Sequence, residues 1–423
     1  MSGVWLFIFM CVLMAFGLPI SVSLGMSAVI ALLLGGNISL IAVTQRMLVG
    51  VDSFPLLAII FFMVAGELMM QGGISKRLVK LAQCFLAGVR GSLALISFVT
   101  CAFFGALSGS TLATAAAVGA VMYPEMLKSG DYDKEFALTI QAVGGTLGAM
   151  IPPSVPMVIY GMLTNTSIGD LFMAIALPGI LVCILYCIWG YIIIKKRNMA
   201  VNQKVVKVSV LHAFLDGIWA LITPLIILGG IYAGIFSPTE SAAVACLYAL
   251  IVGLFVYKEL NMKNIFKAFY TAMEGSAGIM FLVSCATLFG WVLTRQGFPE
   301  LVAGFLNSVI NSEMMFLVVM NVVFLIAGMF IDPTTTQLLM IPLVLPTAVA
   351  LNVNMVHLGA SLAVNMCLGT ITPPFGACLF VASTLDRSIK IESIYKEAIP
   401  FCIAGVVGII IVILVPQLST WML

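Results

Sequence analysis

The groups that could bind a ligand are concentrated around two pairs of consecutive prolines. Pro152-Pro153 lies within residues 136–163 and Pro373-Pro374 within residues 356–385, and neither stretch contains an Asp, Glu, Lys or Arg. Proline lacks a backbone N–H and its ring clashes with the carbonyl four residues earlier, so each pair breaks a helix and frees carbonyl groups. In an apolar setting, such carbonyls persist only where protein, water or a bound ion satisfies them. Each proline pair therefore predicts a broken helix beside a ligand site.

Two short polar segments, residues 108–111 and 332–336, carry hydroxyl groups that complement these breaks. Carbonyl and hydroxyl oxygens suit an alkali cation, whereas the N–H groups and positive dipole of a helix N-terminus suit an anion. Because Asp332 is the one carboxylate in these segments, we expect sodium rather than protons to be the coupling ion. The candidate sodium ligands are Ser108, Gly109, Ser110, Gly145, Gly148, Ala149, Pro152, Asp332, Thr334, Thr335, Thr336, Gly369, Thr370 and Thr372. The candidate substrate contacts are Ser108, Ser110, Thr111, Ser154, Thr334 and Thr372.

Each of these features also has a purely structural interpretation. Glycine and proline commonly kink packed membrane helices without forming a binding site. Asp332 precedes a run of threonines and could cap the start of a helix. A carboxylate inside a membrane costs about 2.5–3.5 kcal/mol, however, and is a functional candidate by default. Both interpretations of Asp332 stay open at this point.

The composition places these segments in a membrane. Of the 423 residues, 62% are hydrophobic and 9% are charged, and the mean hydropathy is +1.19, which indicates a polytopic integral membrane protein. A net charge of +2 gives no indication of nucleic-acid binding, and no phosphate-binding Gly-Lys-Ser/Thr motif indicates ATP hydrolysis. The first basic residue is Arg46, so we expect the first apolar segment to be retained as a span rather than cleaved. We expect no cofactor besides sodium.

Sequence markers recur in the same order in the two halves of the chain. Pro124 precedes Pro152 by 28 residues, and Pro346 precedes Pro373 by 27. This pattern predicts two repeats, residues 1–194 and 213–423, joined by a cytoplasmic linker. The linker is residues 195–212, the re-entrant hairpins are residues 92–124 and 314–354, and the broken helices are residues 136–163 and 356–385.

The number of crossings determines how the repeats are oriented. We expect five crossings in the first repeat, near residues 4–22, 24–44, 54–71, 136–163 and 170–194. An odd number of crossings inverts the second repeat relative to the first. With both termini in the periplasm, 17 of the 19 basic residues face the cytoplasm, as the positive-inside rule requires. Two basic segments, residues 75–91 and 258–270, are expected to form amphipathic helices rather than spans, which either lie along the cytoplasmic interface or brace the moving parts. The predicted fold is all-α, with two inverted repeats of about five spans and a hairpin each.

Several stretches together resemble the large membrane subunit of tripartite ATP-independent periplasmic (TRAP) transporters. They extend over both halves and are GALSGSTLATAAAVGAVMYPEM, GGTLGAMIPPSVPMVIYG, SIGDLF, GIFSPTESAA, GMFIDPTTTQLLMIPLVLP and LGTITPPFGACLFVAS. The resemblance implies an elevator-type secondary transporter of the bacterial inner membrane. It also implies a small four-helix membrane subunit and a periplasmic substrate-binding protein as partners, sodium-driven import of a small carboxylate, and ion sites at the hairpin tips and broken helices. Similar subunits carry C4-dicarboxylates, sialic acid and sugar-derived keto acids.

Other functions would need different features. A standalone sodium-coupled divalent-anion carrier has a similar architecture and needs no binding protein, so transport by the reconstituted chain alone would identify it. A membrane-embedded enzyme would require paired carboxylates or a metal cluster, and Asp332 stands alone in its segment. A passive channel would not accumulate its substrate against a gradient, whereas inverted repeats with paired breaks suit alternating access.

Overall fold

The computed structural model describes residues 3–35, 41–86, 91–199 and 210–422, and the prediction of an all-α fold is confirmed across them. The helices of the first half are α1 (Val4–Ala15), α2 (Ile20–Gly35), α3 (Ile41–Val51), α4 (Phe54–Gln71), α5 (Ile74–Leu86), α6 (Ser92–Ser108), α7 (Thr111–Ser129), α8 (Lys134–Met150), α9 (Val155–Thr164) and α10 (Ile168–Lys196). Those of the second half are α11 (Val210–Tyr232), α12 (Pro238–Ile251), α13 (Met262–Arg295), α14 (Phe298–Val309), α15 (Glu313–Gly328), α16 (Pro333–Ala350), α17 (Met355–Gly369), α18 (Ala377–Ser383), α19 (Ile391–Leu414) and α20 (Gln417–Thr420). The linker predicted at residues 195–212 falls mostly outside the described residues, which resume at 210.

Within these ranges, seven helices are long and apolar enough to cross a membrane, or eight if the bent pair α8–α9 counts as one span. The first span expected from the sequence, residues 4–22, is interrupted in the structure, because α1 has 12 residues, fewer than the about 20 that a full crossing needs. The second expected span, residues 24–44, lies partly outside the described residues, which stop at the end of α2 and resume at 41. Gly17 ends α1 with a positive φ of 83°, and a helix cannot continue through that conformation.

Helix α13 corrects another expectation. Residues 258–270 do not form a separate interfacial helix, because α13 runs without interruption for 34 residues from Met262 to Arg295. At 1.5 Å per residue it is about 50 Å long. No proline lies between its ends, so nothing in the sequence forces a break where one was expected. Helix α13 packs against α2, α3 and α4, and together with α12 these helices form one group, here called the scaffold group.

A second group contains the helices around the proline pairs. Helices α6 and α7 occupy the segment where the first hairpin was expected, and α15 and α16 occupy that of the second. Helix α8 packs against α6, α7 and α18, while α17 packs against α15 and α10. We call α6–α9 and α15–α18 the break group. The loops that join α6 to α7 and α15 to α16 are the two hairpin tips.

A polar contact in the loop between α18 and α19 joins the two halves of the chain. Asp386 Oδ2 accepts hydrogen bonds from the Tyr123 hydroxyl at 2.8 Å and from Lys134 Nζ at 3.2 Å. Asp386 Oδ1 accepts from the Ser388 hydroxyl at 2.6 Å and from the Ser388 backbone N–H at 3.0 Å. These hydrogen bonds, those from Ser388 first, hold the pKa of the Asp386 carboxyl well below its usual range. The contact ties the end of α18 to α7 and α8.

Replacing this carboxylate should destabilise the protein. Asp386→Asn weakens hydrogen bonds to a side chain that is only 18% exposed, and we expect a loss of about 1–3 kcal/mol. The folded-state pKa lies below the unfolded-state value of about 4, so this stabilisation is fully present above about pH 4 and disappears as the pH falls through the folded-state pKa. Thermal unfolding in detergent at neutral and acidic pH measures both effects.

The matched control is Glu125→Gln, which removes an ion pair to Lys128 within α7. The two side chains of that pair are 47% and 71% exposed, so its loss should cost at most about 1 kcal/mol. Equal destabilisation by the two variants would contradict the structural role of Asp386.

Candidate functional site

The first break is hydrogen-bonded to the tip of the first hairpin. Helix α8 ends at Met150 and α9 begins at Val155, with a cis peptide between Pro152 and Pro153, and the two helices are bent by 40°. The backbone N–H of Val155 donates to the Gly109 carbonyl at 3.2 Å. Gly109 has φ of +61°, and a Cβ there would lie 2.8 Å from the Pro153 carbonyl oxygen, so a residue other than glycine would strain this contact.

Protein donors satisfy several of the carbonyls that the prolines were expected to free. The Ser154 hydroxyl donates to the Ala149 carbonyl at 2.7 Å. At the second break, the N–H of Thr372 donates to the Gly369 carbonyl at 3.0 Å, and the N–H of Cys378 donates to the Thr370 carbonyl at 2.9 Å. A carbonyl oxygen has two lone pairs, so each of them still has one for a further ligand.

Glycines bring each hairpin against the broken helix of its own half. A Cβ on Gly105 of α6 would lie 2.7 Å from the Cα of Gly148 on α8. In the second half, a Cβ on Gly369 of α17 would lie 2.8 Å from the carbonyl carbon of Gly328 on α15. Real Cβ atoms essentially never lie this close to another heavy atom. In each half, the backbones of two helices are therefore in direct contact, and only glycine fits at the contact. These contacts place the two hairpin tips beside the two breaks.

The first hairpin tip leaves two backbone donors at the start of α7 without a hydrogen-bond acceptor within the described chain. Ser110 caps α7, its hydroxyl accepting from the Ala113 N–H at 3.4 Å. The N–H groups of Thr111 and Leu112 precede the first intrahelical acceptors, and the structure gives neither of them a partner. The Ser108 hydroxyl is engaged separately, 2.9 Å from the Thr114 hydroxyl.

The second hairpin tip is capped by a carboxylate instead. Asp332 Oδ1 accepts from the N–H groups of Thr334 at 3.0 Å and Thr335 at 3.1 Å, and Oδ2 accepts from the Thr335 hydroxyl. The Thr336 hydroxyl donates to the backbone carbonyl of Asp332 at 2.9 Å. Pro333 has no N–H, so the first turn of α16 retains no free donor. Asp332 therefore acts as a helix cap, which leaves open whether it also binds an ion.

A cavity of about 310 Å³ joins both tips and both breaks to the scaffold group. Among the described residues, no Lys, Arg or His lines it, and Asp332 is the one carboxylate that does. The lining residues are Met63, Gly109, Ser110, Thr111, Leu112, Ala149, Val155, Pro156, Gly275, Gly278, Ile279, Leu282, Asp332, Pro333, Thr334, Thr370 and Ala377. Among the polar residues, Thr111 is 6% exposed, Thr334 9% and Thr370 1%.

The structure divides the sequence-predicted site residues into two sets. Those that line the cavity are Gly109, Ser110, Thr111, Ala149, Asp332, Thr334 and Thr370. Those that do not line it are Ser108, Gly145, Gly148, Pro152, Ser154, Thr335, Thr336, Gly369 and Thr372, many of them bonded to or packed against the first set.

The scaffold group contributes part of the cavity lining, which the sequence did not predict. Met63 of α4 and Gly275, Gly278, Ile279 and Leu282 of α13 also line the cavity. The residues on α13 follow a spacing of three or four, so they share one face of the helix. The two glycines three apart were the available signal, but glycine is frequent in membrane helices and does not by itself mark a site.

Discontinuous apolar helices whose broken ends meet at one cavity are typical of helical membrane proteins of the secondary-transporter class. The family model for the DctM component of the tripartite ATP-independent periplasmic transporter matches residues 7–418. The chain belongs to this family, whose named members are transporter permeases and not enzymes.

Two relatives and one solved structure illustrate the similarity. The chain is 36% identical over 443 residues to the C4-dicarboxylate TRAP transporter large permease protein DctM of Vibrio cholerae, covering 100% of this chain and 97% of the relative. It is 37% identical over 415 residues to the isethionate TRAP transporter permease protein DctMQ of Oleidesulfovibrio alaskensis, covering 98% of this chain and 65% of that longer protein. The YdaH transporter of Alcanivorax borkumensis has the same fold, with a TM-score of 0.66 at 15% identity, over 88% of this chain and 87% of that one.

The glycine contacts predict different effects on stability for two Gly→Ala variants: one should destabilise the protein and the other should not. Gly369→Ala would force a methyl group against the Gly328 backbone, and overpacking of this kind costs about 1–3 kcal/mol. Gly304→Ala on α14 meets no atom within 4 Å and should leave stability unchanged or raise it by up to about 1 kcal/mol. Melting temperatures in detergent measure both, and a stable Gly369→Ala protein would contradict the close contact.

Proposed function

We propose that this chain is the membrane subunit of a secondary active transporter that imports a small organic acid, using a sodium gradient. In this proposal it lies in the bacterial inner membrane, works with a small four-helix membrane subunit, and receives its substrate from a periplasmic binding protein. The observation that carries the proposal is the cavity, because it brings free N–H donors and a carboxylate-bearing oxygen cluster to one place without any basic side chain. The names of its relatives, isethionate and C4-dicarboxylate permeases, support a small anionic substrate.

The anion is assigned to the first hairpin tip. The unpaired N–H groups of Thr111 and Leu112 lie at the positive end of α7, and both residues line the cavity. The N-terminus of α9 is less suitable, because its first N–H, on Val155, already donates to Gly109 and its second residue is Pro156. A carboxylate oxygen at α7 would receive two backbone hydrogen bonds and need no Lys or Arg.

Sodium is assigned to the second hairpin tip and the second break. Asp332, Thr334 and Thr370 line this end of the cavity and provide carboxylate, hydroxyl and carbonyl oxygens. Asp332 is half-buried and accepts three hydrogen bonds but faces no cationic side chain in the cavity, and a bound cation would supply its counter-charge. The same cation would offset the charge of the anion, which couples the binding of the two. Because substrate and ion occupy one cavity, each binds better in the presence of the other.

The arrangement of the two helix groups supports an elevator motion. The break group contributes the polar lining and the scaffold group contributes an apolar wall, so the cavity lies along the boundary between them. In this proposal, the two repeats are inverted, both termini are periplasmic, and the break group carries substrate and sodium past the scaffold. A boundary lined by glycine, methionine, isoleucine and leucine on the scaffold side makes no polar bond that would have to be broken at each step.

The assignment of sodium predicts that Asp332→Asn will raise the half-saturating sodium concentration at least about tenfold, since one lost charge–charge contact of 1.4 kcal/mol corresponds to that factor. The amide can still cap α16 through its oxygen, so the helix should be retained. Uptake by the reconstituted complex, measured over a range of sodium concentrations with the binding protein present and absent, tests both the ion and the partner.

Asp170→Asn is the matched control for this experiment. Asp170 is also an acidic residue in the first turn of a helix, α10, but it does not line the cavity. The sodium dependence of uptake by Asp170→Asn should equal that of the unmodified protein. An unchanged sodium curve for Asp332→Asn would remove Asp332 from the site, and full uptake without the binding protein would favour the standalone carrier.

The assignment of the anion can be tested at a backbone N–H. Thr111 is the first residue of α7, where proline is tolerated, and the preceding Ser110 has the extended conformation that a following proline requires, with φ of −129° and ψ of 130°. Thr111→Pro should therefore keep the helix but remove one donor, raising KM for the substrate by about tenfold or more, as for a lost hydrogen bond to a charged group. Thr111→Val removes only the hydroxyl and is the control. Equal KM values for the two variants would exclude the Thr111 N–H from the substrate site.

A further inference from the structure

Among the residues of α13 that line the cavity, one glycine lies where an added Cβ would meet no other atom of the described chain. On α13, Gly275 and Gly278 both line the cavity, but they differ in their surroundings. A Cβ on Gly275 would lie 2.5 Å from Cε of Met63, so that space is already filled. A Cβ on Gly278 would meet no atom within 4 Å.

The Met63 side chain covers Gly275 and so forms part of the apolar wall. The Ser276 hydroxyl donates its one proton to the Ala272 carbonyl at 2.7 Å, and the same oxygen lies in contact with the Met63 sulfur at 3.3 Å. The Met63 side chain is therefore held over Gly275 from the neighbouring helix α4. Because α13 is continuous and packs against α2, α3 and α4, its face cannot retreat to make room for a larger occupant.

We propose that Gly278 determines the width available to the transported substrate. This inference rests on the proposed function and adds to it the orientation of the substrate. With the anionic group at the start of α7, the uncharged remainder of the molecule faces α13, where the lining is Gly278, Ile279 and Leu282. A second carboxylate on that side would find no cation and no hydrogen-bond donor among the lining side chains of α13.

The volume of the cavity agrees with a narrow substrate. At about 310 Å³ it lies at the lower limit of ordinary ligand sites, which range from about 300 to 1,000 Å³. A glycine at the one unobstructed wall position is then functional, since any side chain there would take space that the substrate needs. We infer a short organic acid with one anionic group and an uncharged end.

Sodium-driven uptake by the complete reconstituted complex, with its small subunit and its own binding protein, tests the inference. Gly278→Ala should reduce uptake moderately and Gly278→Leu at least about tenfold, in the order of side-chain size. Gly290→Leu is the matched control, because Gly290 lies on the same helix, also meets no atom within 4 Å, and does not line the cavity. It lies 12 residues further along α13, rotated by about 120° from Gly278. Uptake by the Gly290→Leu variant should remain within about twofold of uptake by the unmodified protein.

A second experiment separates obstruction from misfolding. Gly278→Cys is reconstituted first and then treated with methyl or benzyl methanethiosulfonate, so the bulk is added to a folded protein. Inhibition by the benzyl reagent should exceed inhibition by the methyl reagent at position 278. At Gly290→Cys, neither reagent should inhibit more than it inhibits the unmodified protein, whose native cysteines provide the baseline.

The outcomes distinguish this inference from the proposed function. If the unmodified complex shows no sodium-driven uptake of an organic acid, the proposed function fails. If that uptake is present but the position 278 variants behave like the position 290 variants, with equal response to both reagents, the proposed function stands and the role of Gly278 is overturned. Inhibition that increases with the size of the added group at position 278, and not at position 290, supports the role of Gly278.

Discussion

The contact of backbone against backbone at two pairs of glycines is the constraint on which the rest of this structure depends. Gly105 meets Gly148 in the first half, and Gly328 meets Gly369 in the second. Helices in an apolar surrounding gain little from burying apolar side chains, so close packing at small residues must hold them together. At each pair, that packing places the hairpin tip beside the helix break. Without it, the polar groups of the tips and the breaks would face apolar side chains or lipid.

Most polar groups at the tips and breaks stabilise the fold, and in the proposed function the few that remain unpaired bind the ligand. An apolar interior requires that each broken helix find donors for its carbonyls and acceptors for its N–H groups. The Ser154 hydroxyl and the Cys378 N–H provide such donors at the two breaks, and Asp332 accepts from the first turn of α16. Once these pairs are formed, few polar groups remain unengaged around the cavity. Those few, among them the N–H groups of Thr111 and Leu112, are the ones left for a ligand.

Each half of the chain has one hairpin tip beside one helix break, but the two tips differ chemically. The cap of α7 is a neutral serine, and the cap of α16 is an aspartate. The first tip is therefore electropositive and the second electronegative, although both begin a helix at the same cavity. In the proposed function this difference assigns anion and cation to opposite ends. The interpretations of Asp332 as a cap and as an ion ligand do not exclude each other, because a carboxylate accepts about four hydrogen bonds or ligand contacts.

The sequence by itself determined the all-α membrane class, the proline breaks and the polar tips, because proline chemistry and apolar run length act locally along the chain. It also indicated seven of the residues that line the cavity. The inverted orientation and the division into repeats remain predictions. Only the tertiary structure decided that α1 is short, that α13 is continuous, and that Met63 and Gly278 line the cavity. These features depend on contacts between helices far apart in sequence, and a glycine in an apolar helix carries no local sign of what faces it.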